Sequence, residues 1–326
     1  MAENKTVVVL YGKLSENPKP DELDVLEEIS IVKKGLISLA YEPIELEFDL
    51  NLEKVKDKLN EIHPYFVFNL VEMIENRGEL HYIAPALLEY LNIPYSGASS
   101  EYLVLTTNKA LAKQILKTHD INTAEWFSLN EIDRLDVNKK YILKPLKEDG
   151  SLGIDEDSVF NKVDERIIEK IKNLNPSNFF IEEFIEGREF NISLLGGKDF
   201  PEVLPLAEIK FNNYPVEKPK IMGYTAKWDE HSFEYKNTNR TFDIDKIYMG
   251  FEEDLKNLCI KCWNAFNSKG YIRIDIRVSA NNIPFIIEIN GNPCISSSGG
   301  FYAAAKKAGY SFKAVLERII ADAFKR

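Results

Sequence analysis

The stretch Tyr271-Ile-Arg-Ile-Asp-Ile-Arg-Val278, followed after a polar linker by Phe285-Ile-Ile-Glu-Ile-Asn290, decides how this chain is read. Both runs alternate apolar and polar side chains with period two, the pattern of strands with one apolar and one chemical face. Arg273, Asp275 and Arg277 share a face of the first strand, and Glu288 and Asn290 share a face of the second. Paired as a tight hairpin centred on Asn281-Asn282, the strands set Asp275 opposite Glu288 and Arg273 opposite Asn290. Two carboxylates directly opposed repel each other, and a nearby multivalent cation relieves that repulsion. An oxygen cluster of Asp, Glu and Asn suits magnesium, which usually keeps waters and bridges to substrate phosphates. The plainer alternative is a solvated hairpin whose arginines neutralise its acids.

The rest of the composition narrows the function classes. With 326 residues the chain can bury a sizeable core in two or three domains. A net charge of −11 argues against a nucleic-acid footprint. No apolar run approaches the roughly 20 residues of a membrane span, and Met1-Ala-Glu-Asn-Lys5 leads straight into a strand-like segment with no signal peptide. Three cysteines, an odd number, do not form a disulfide framework, so a cytoplasmic location is expected. Cys259 and Cys262 have CxxC spacing, but they sit inside a helical pattern (251–266) with no second pair and read as core cysteines.

Over the first hundred residues, strand and helix signals alternate. Val7–Leu10, Pro43–Phe48 and Phe66–Leu70 read as strands; Asp21–Leu39, Leu52–Ile62 and Ala84–Tyr90 read as helices. That alternation implies an α/β unit, a doubly wound parallel sheet with helices on its faces. Thr107–Lys117 is a helix opening the next unit. From Tyr141 the chain is richer in strands: Tyr141–Pro145, Phe179–Ile185 and Arg188–Leu195. Asn213–His231 has little periodicity and reads as a long functional loop, and Phe301–Ala323 reads as a helical tail.

Several residues carry chemistry. Lys144 ends an apolar strand just before a loop bearing Gly150, Ser151 and Gly153, an arrangement suited to phosphate: the ammonium is a point charge and glycines let backbone amides approach oxygens. The loop is not a Walker A sequence, and no GxGxxG follows the first strand. Glu182, Glu183, Glu186 and Glu189 cluster around a strand end, where an acid can hold ribose hydroxyls or simply be solvated. Asn290-Gly-Asn-Pro-Cys-Ile-Ser-Ser-Ser-Gly-Gly300 follows the acidic strand, and its amides and hydroxyls suit an anion or an acyl oxygen. The four histidines show no ligand spacing and read as structural.

Taken in order, these elements resemble the ATP-grasp superfamily, and most closely the D-alanine–D-alanine ligases, over nearly the whole chain. Asn108-Lys109, Ile142-Leu-Lys-Pro145, Glu148-Asp-Gly-Ser-Leu-Gly153, Ile181–Phe190, Tyr224-Thr-Ala-Lys227, Arg273-x-Asp275 and Glu288-x-Asn290-x-Asn-Pro293 carry the likeness. It implies an N-terminal substrate-side domain (1–100) followed by a two-lobed, α+β ATP-grasp part (101–187 and 188–326). It also implies that Lys109 and Lys144 bind ATP phosphates, with Gly150 and Ser151 closing over them. Glu182, Glu183, Phe184 and Ile185 would form the adenine hinge, and Glu189 would hold the ribose. Asp275, Glu288 and Asn290 would hold two magnesium ions, with manganese as the alternative metal. Arg273 would stabilise the tetrahedral intermediate, with Lys227, Ser151 and Tyr224 in catalytic positions, and a homodimer is the assembly suggested.

The departures fall where substrate is read. Gly12-Lys-Leu-Ser-Glu16 replaces an intact Gly-Gly-x-Ser-x-Glu signature, leaving Asp21, Asp24 or Glu28 as the amine-binding acid. Val71–Glu79 replaces the family's His-Gly stretch, and Cys294 stands where a glycine is expected. Gly299 falls where the family has a carboxylate-binding serine, although Ser296, Ser297 and Ser298 lie beside it. The expected function is therefore an ATP-dependent carboxylate–amine ligase acting on small amino-acid or carboxylate substrates, not necessarily D-alanine. The alternatives are a true D-alanine–D-alanine ligase and a non-catalytic ATP-grasp nucleotide binder.

Overall fold

The run of small β-branched residues at the start can sit in a sheet only if both faces are covered. It does so here. In the computed structural model, which describes residues 5–148, 150–160, 163–197 and 200–325, strand Thr6–Gly12 lies between Glu42–Phe48 and Phe66–Leu70 in a three-stranded parallel sheet. Val7 and Val9 pack toward helices Pro20–Ser38 and Phe312–Ala323, while Val8 and Leu10 pack toward Leu52–Ile62 and Ile83–Tyr90. The C-terminal helix thus returns to cover the first sheet. The expected single tail helix is two, Gly300–Lys307 and Phe312–Ala323, because Gly309 turns the chain at φ 93° and Ser311 caps the second helix.

Two antiparallel sheets make up the rest. Four strands run in the order Trp126–Ser128, Phe179–Glu183, Tyr141–Pro145, Val159–Phe160. The other sheet has six, with Thr238–Thr241, Ala207–Phe211, Gly187–Leu195, Tyr271–Ser279 and Pro284–Asn290 side by side and Glu202–Val203 paired to Gly187–Leu195. Strand alternation sorts the six-stranded sheet as the sequence implies. Phe190, Ile192, Leu194, Ile272, Ile274 and Ile276 pack into one core with Cys259, Cys262 and Trp263 of helix Phe251–Ala265. Glu189, Asn191, Arg273, Asp275 and Arg277 take the opposite face. Both helix cysteines are fully buried, and burial pushes their thiols well up, so they are core residues. At Gly187, where that strand begins, an added Cβ would lie 1.9 Å from the Val278 carbonyl oxygen, a close approach only glycine allows.

The decisive hairpin departs from a uniform ladder in two places. The turn spans Ser279–Asn282, with Asn282 at φ 64° donating its amide to the Ser279 carbonyl, so Val278 pairs with Pro284. A bulge then inserts Ile287, after which Asp275 pairs with Glu288 and Arg273 with Asn290. The two irregularities offset each other, which is why the expected opposition of Asp275 and Glu288 holds although the turn is not centred on Asn281-Asn282. A bulge also re-aims side chains: Ile286 and Ile289 are in the core, while both Ile287 and Glu288 face the cavity.

Candidate active site

Between the two antiparallel sheets lies a cavity of about 420 Å³, within the usual size range of small-molecule sites. Ile142, Lys144 and Glu182 reach it from the four-stranded sheet; Glu189, Arg273, Asp275 and Glu288 reach it from the six-stranded one. A smaller cavity of about 110 Å³ adjoins it, sharing Asp24, Gly150, Lys227, Trp228, Arg273 and Cys294.

The floor is a set of buried ion pairs. Glu182 is 2% exposed and lies 3.0 Å from Lys144 Nζ and 2.7 Å from Lys113 Nζ. Burial pushes the Glu182 carboxyl up, but the two lysines outweigh burial and hold it below the ordinary carboxylate range. Lys113, fully enclosed, is pushed down by burial and also donates to Thr123 Oγ1 at 2.8 Å. Strand Tyr141–Pro145 delivers Lys144, and helix Lys109–Thr118 delivers Lys113 and Lys109. That helix is separated from Ser100–Thr107 by Asn108, whose side chain accepts from Leu111 N at 3.2 Å and sets Lys109 in the first turn. One continuous helix from Thr107 was expected; the cap is what orients Lys109.

The hairpin carries a second charge cluster. Arg273 Nε and Nη2 donate to Asp275 at 2.8 and 2.9 Å, and Asn191 Nδ2 donates to the same carboxylate at 2.9 Å. Lys109 Nζ lies 3.1 Å from Glu288 and also donates to the Glu148 carbonyl. Desolvation raises the Glu288 carboxyl, yet Lys109, Arg273 and Lys144 win and hold it well below the usual range. Two residues beyond Asp275, the buried Arg277 faces Glu189 at 3.4 Å and donates to the Lys220 carbonyl at 3.0 Å. Burial keeps Glu189 raised in spite of that arginine.

Two loops cover the cavity by holding each other. Ser151 Oγ donates to the Met222 carbonyl at 2.6 Å, Trp228 Nε1 donates to the Gly150 carbonyl at 3.2 Å, and Tyr224 N donates to the Ile154 carbonyl at 2.9 Å. Gly150 and Ser151 both have positive φ, 70° and 65°. The long segment expected as a loop contains one short helix, Tyr224–Trp228, that presents Lys227 to the cavity.

Most residues singled out from the sequence converge on this space. Lys144, Gly150, Ser151, Glu182, Phe184, Ile185, Glu189, Lys227, Arg273, Asp275, Glu288, Ser296, Ser298 and Gly299 line the larger cavity, and Asn290 lines the smaller one. Four do not reach the wall of either: Lys109, which instead pairs with the cavity residue Glu288 at 3.1 Å, and Glu183, Ser297 and Tyr224. Glu183 follows Glu182 on a strand, so it points the other way and pairs with Lys139 at 2.8 Å. Ser297 turns to Glu27 on the first helix, and Tyr224 stands at the start of its helix behind Lys227. Of the three N-terminal acids, Asp24 lines both cavities and accepts from the Cys294 thiol at 2.9 Å. Glu28 is sealed beneath, accepting from Ile295 N at 2.6 Å, and burial with Glu72 nearby pushes its carboxyl well up. The Asp21 side chain lies outside the described residues, as does Asp149.

Sequence reading passed over Lys113, Arg240 and Ile287, and it placed Asn191 and Arg277 on their strand faces without giving them a role. Of the three passed over, only Ile287 left a usable signal, the adjacent Ile286-Ile287 that breaks strict alternation. Among the described residues, no three His, Cys, Asp or Glu side chains converge as a metal site. The hairpin instead offers two carboxylates and an amide, a hard oxygen donor set whose charges fit magnesium.

Two antiparallel sheets closing over buried lysines, a glycine loop and an acidic hairpin are the architecture of the ATP-grasp ligases. The family model described as D-ala D-ala ligase C-terminus matches residues 115–321, and the chain belongs to that family of carbon–nitrogen ligases. It is similar to the D-alanine–D-alanine ligase of Aquifex aeolicus, 28% identical over 320 residues, which covers 97% of this chain and 99% of that one. In fold it is similar to D-alanine–D-alanine ligase from Bacillus anthracis complexed with ATP, with a TM-score of 0.74, 20% identity and 98% of each chain covered. It likewise resembles D-alanyl-alanine synthetase A from Vibrio cholerae, with a TM-score of 0.76, 14% identity and 99% of each chain covered. Among the described residues no helix is long and apolar enough to cross a membrane.

Proposed function

We propose that the chain joins a carboxylate to an amine at the expense of ATP, and that its substrates are not both D-alanine. The observation that carries the reaction class is the direct opposition of Asp275 and Glu288, with Arg273 beside them, in the cavity that also receives Lys144 and Lys227. In this reading the adenine lies in the apolar slot of Ile142, Phe184, Ile185 and Ile287, and Glu189 takes the ribose. Lys109, Lys144 and the amides of the 150–151 turn hold the phosphates. Asp275, Glu288 and Asn290 would hold magnesium, which when bound supplies positive charge against the phosphoryl oxygens.

The chain's own groups then divide two steps. In the first, the substrate carboxylate attacks the γ-phosphorus and ADP leaves; Lys144 and Lys227 offset charge on the transferred group. In the second, the amine attacks the acylphosphate carbonyl and phosphate leaves with the C–O bond electrons. Arg273, on the cavity wall, would supply the donor that the oxyanion of that step needs. A mere nucleotide binder has no use for such an arginine. Asp24 and Glu72 form the acidic end of the smaller cavity, where a substrate ammonium would sit. A cytoplasmic location, a homodimer, and division at residues 1–100, 101–187 and 188–326 belong to the same proposal.

The altered substrate rests on Gly299 and Cys294, which line the cavity where the family places serine and glycine. One observation favours the second reading, a true D-alanine–D-alanine ligase: Ser296 and Ser298 line the wall beside Gly299 and offer hydroxyls. ADP release across a panel of amino-acid pairs, with products identified by mass spectrometry, separates the two. A mixed or non-alanine amide as the best product supports our reading; efficient D-alanyl-D-alanine synthesis overturns it.

A further inference from the structure

Arg240 is not used by the reaction described above, yet it lines the larger cavity. It stands on Thr238–Thr241, the edge strand of the six-stranded sheet, paired with Ile209. Among the described residues no hydrogen bond or ion pair is made by its guanidinium. Its Nη2 lies 3.4 Å from where a Cβ on Gly300 would be, so it rests against the first residue of helix Gly300–Lys307. Gly300, lacking a Cβ, leaves that space open.

The surroundings of Arg240 are electropositive. Arg240 is exposed to solvent, yet partial desolvation and then the neighbouring Arg273 push its pKa down, against a smaller opposing effect of Cys294. Arg273 cannot share its own carboxylate, because Asp275 is gripped by both nitrogens of that fork. The helix start adds free backbone N–H groups with no side-chain cap. Ser296 and Ser298 add hydroxyls on the same wall. One substrate carboxylate is met by the helix start and the hydroxyls. An unpaired guanidinium then remains, and a planar fork of donors is shaped for a carboxylate.

We infer that Arg240 receives a second anionic group on the amine substrate, so that the acceptor is an amino acid with an acidic side chain. The inference rests on the ligase reading and deepens it. A neutral acceptor such as alanine would leave this exposed guanidinium to water, whereas an acidic side chain would pair with both arms of its fork.

The test uses the whole protein with ATP and magnesium, and compares aspartate with asparagine and glutamate with glutamine, in both enantiomers, as acceptors. Acid and amide are nearly isosteric, so the comparison isolates charge. The expected result is a kcat/KM preference for the acid of about ten- to a hundredfold, the usual weight of a hydrogen bond to a charged group. Arg240→Gln should collapse that ratio to near unity through the acceptor KM, and Arg240→Lys should restore part of it. Calorimetric titration of the wild-type protein, loaded with a non-hydrolysable ATP analogue, reads the same preference without any variant. If the acid binds under those conditions but no ADP forms, the ligase reading fails while the inference stands. If ADP forms as readily with the amides or with alanine, or if Arg240→Gln keeps the wild-type ratio, the inference is overturned and the ligase reading is untouched.

Discussion

Asp275 and Glu288 are direct partners across the Tyr271–Ser279/Pro284–Asn290 hairpin, and each is balanced by a different cation: Arg273 at 2.8 Å from Asp275, and Lys109 at 3.1 Å from Glu288. Opposed carboxylates are costly unless a positive charge is shared between them. Replacing either with its amide should therefore leave the fold intact, since the repulsion falls, while magnesium-dependent ADP formation drops below detection. Circular dichroism checks the fold and a coupled ADP assay checks the chemistry. Near wild-type turnover of Glu288→Gln or Asp275→Asn at low magnesium would remove both residues from the metal site.

Arg273 distinguishes the two chemical steps. In the proposed mechanism its guanidinium would meet charge present only in the tetrahedral intermediate, and loss of one such donor costs about a hundred- to a thousandfold in rate. Arg273→Met should slow amide formation by that amount. A variant that forms product at the wild-type rate would reduce Arg273 to a structural partner of Asp275.

The buried triad of Glu182, Lys113 and Lys144 makes a prediction about stability. Glu182→Gln leaves two buried lysines with no counter-charge, and breaking a buried pair this way typically costs about 3–5 kcal/mol. Lys113→Met should be milder, because Glu182 keeps Lys144 at 3.0 Å. The pH dependence follows from the sign of the shift. Burial raises the Glu182 carboxyl, but Lys113 and Lys144 lower it more, so its folded pKa lies beneath the unfolded value of about 4.3. Stability from such a group is present above that value and is lost as pH falls through the folded pKa. Urea denaturation of wild type and Glu182→Gln should therefore differ fully at pH 7 and converge below about pH 4. A gap that stays constant to pH 3 would contradict the assignment.

Much of this was legible in the chain, for reasons particular residues show. Period-two alternation sent Ile272, Ile274 and Ile276 to the core and Arg273, Asp275 and Arg277 to the cavity, because strand geometry leaves no other choice once one face is buried. What was hidden depended on contacts between distant segments. Lys113 looks like any surface lysine of an amphipathic helix until Glu182, from another sheet, is packed beneath it. Arg240 sits in a polar stretch without periodicity, so nothing local aims it at the cavity. Glu183 was included as part of the adenine hinge that the resemblance implies, and strict alternation from Glu182 turns it outward to Lys139.

The contact between the two covering loops should also be measurable. Ser151→Ala removes the hydrogen bond to the Met222 carbonyl, and Trp228→Phe removes the one to the Gly150 carbonyl. A side-chain hydrogen bond of this kind contributes about 1 kcal/mol, so each variant should open the 150–154 segment several-fold more often by hydrogen exchange. Unchanged protection of the Ile154 amide in both variants would show that the loops are held by something else.

The central claim is that a substrate carboxylate oxygen is transferred to phosphate before the amide forms. Running the reaction with the best carboxylate substrate labelled with oxygen-18 in its carboxyl group tests this directly, with mass spectrometry of the released phosphate. Formation of an acylphosphate predicts one labelled oxygen in phosphate for each amide made, with ADP as the only nucleotide product. Phosphate that carries no label, or label appearing in AMP, would contradict the mechanism.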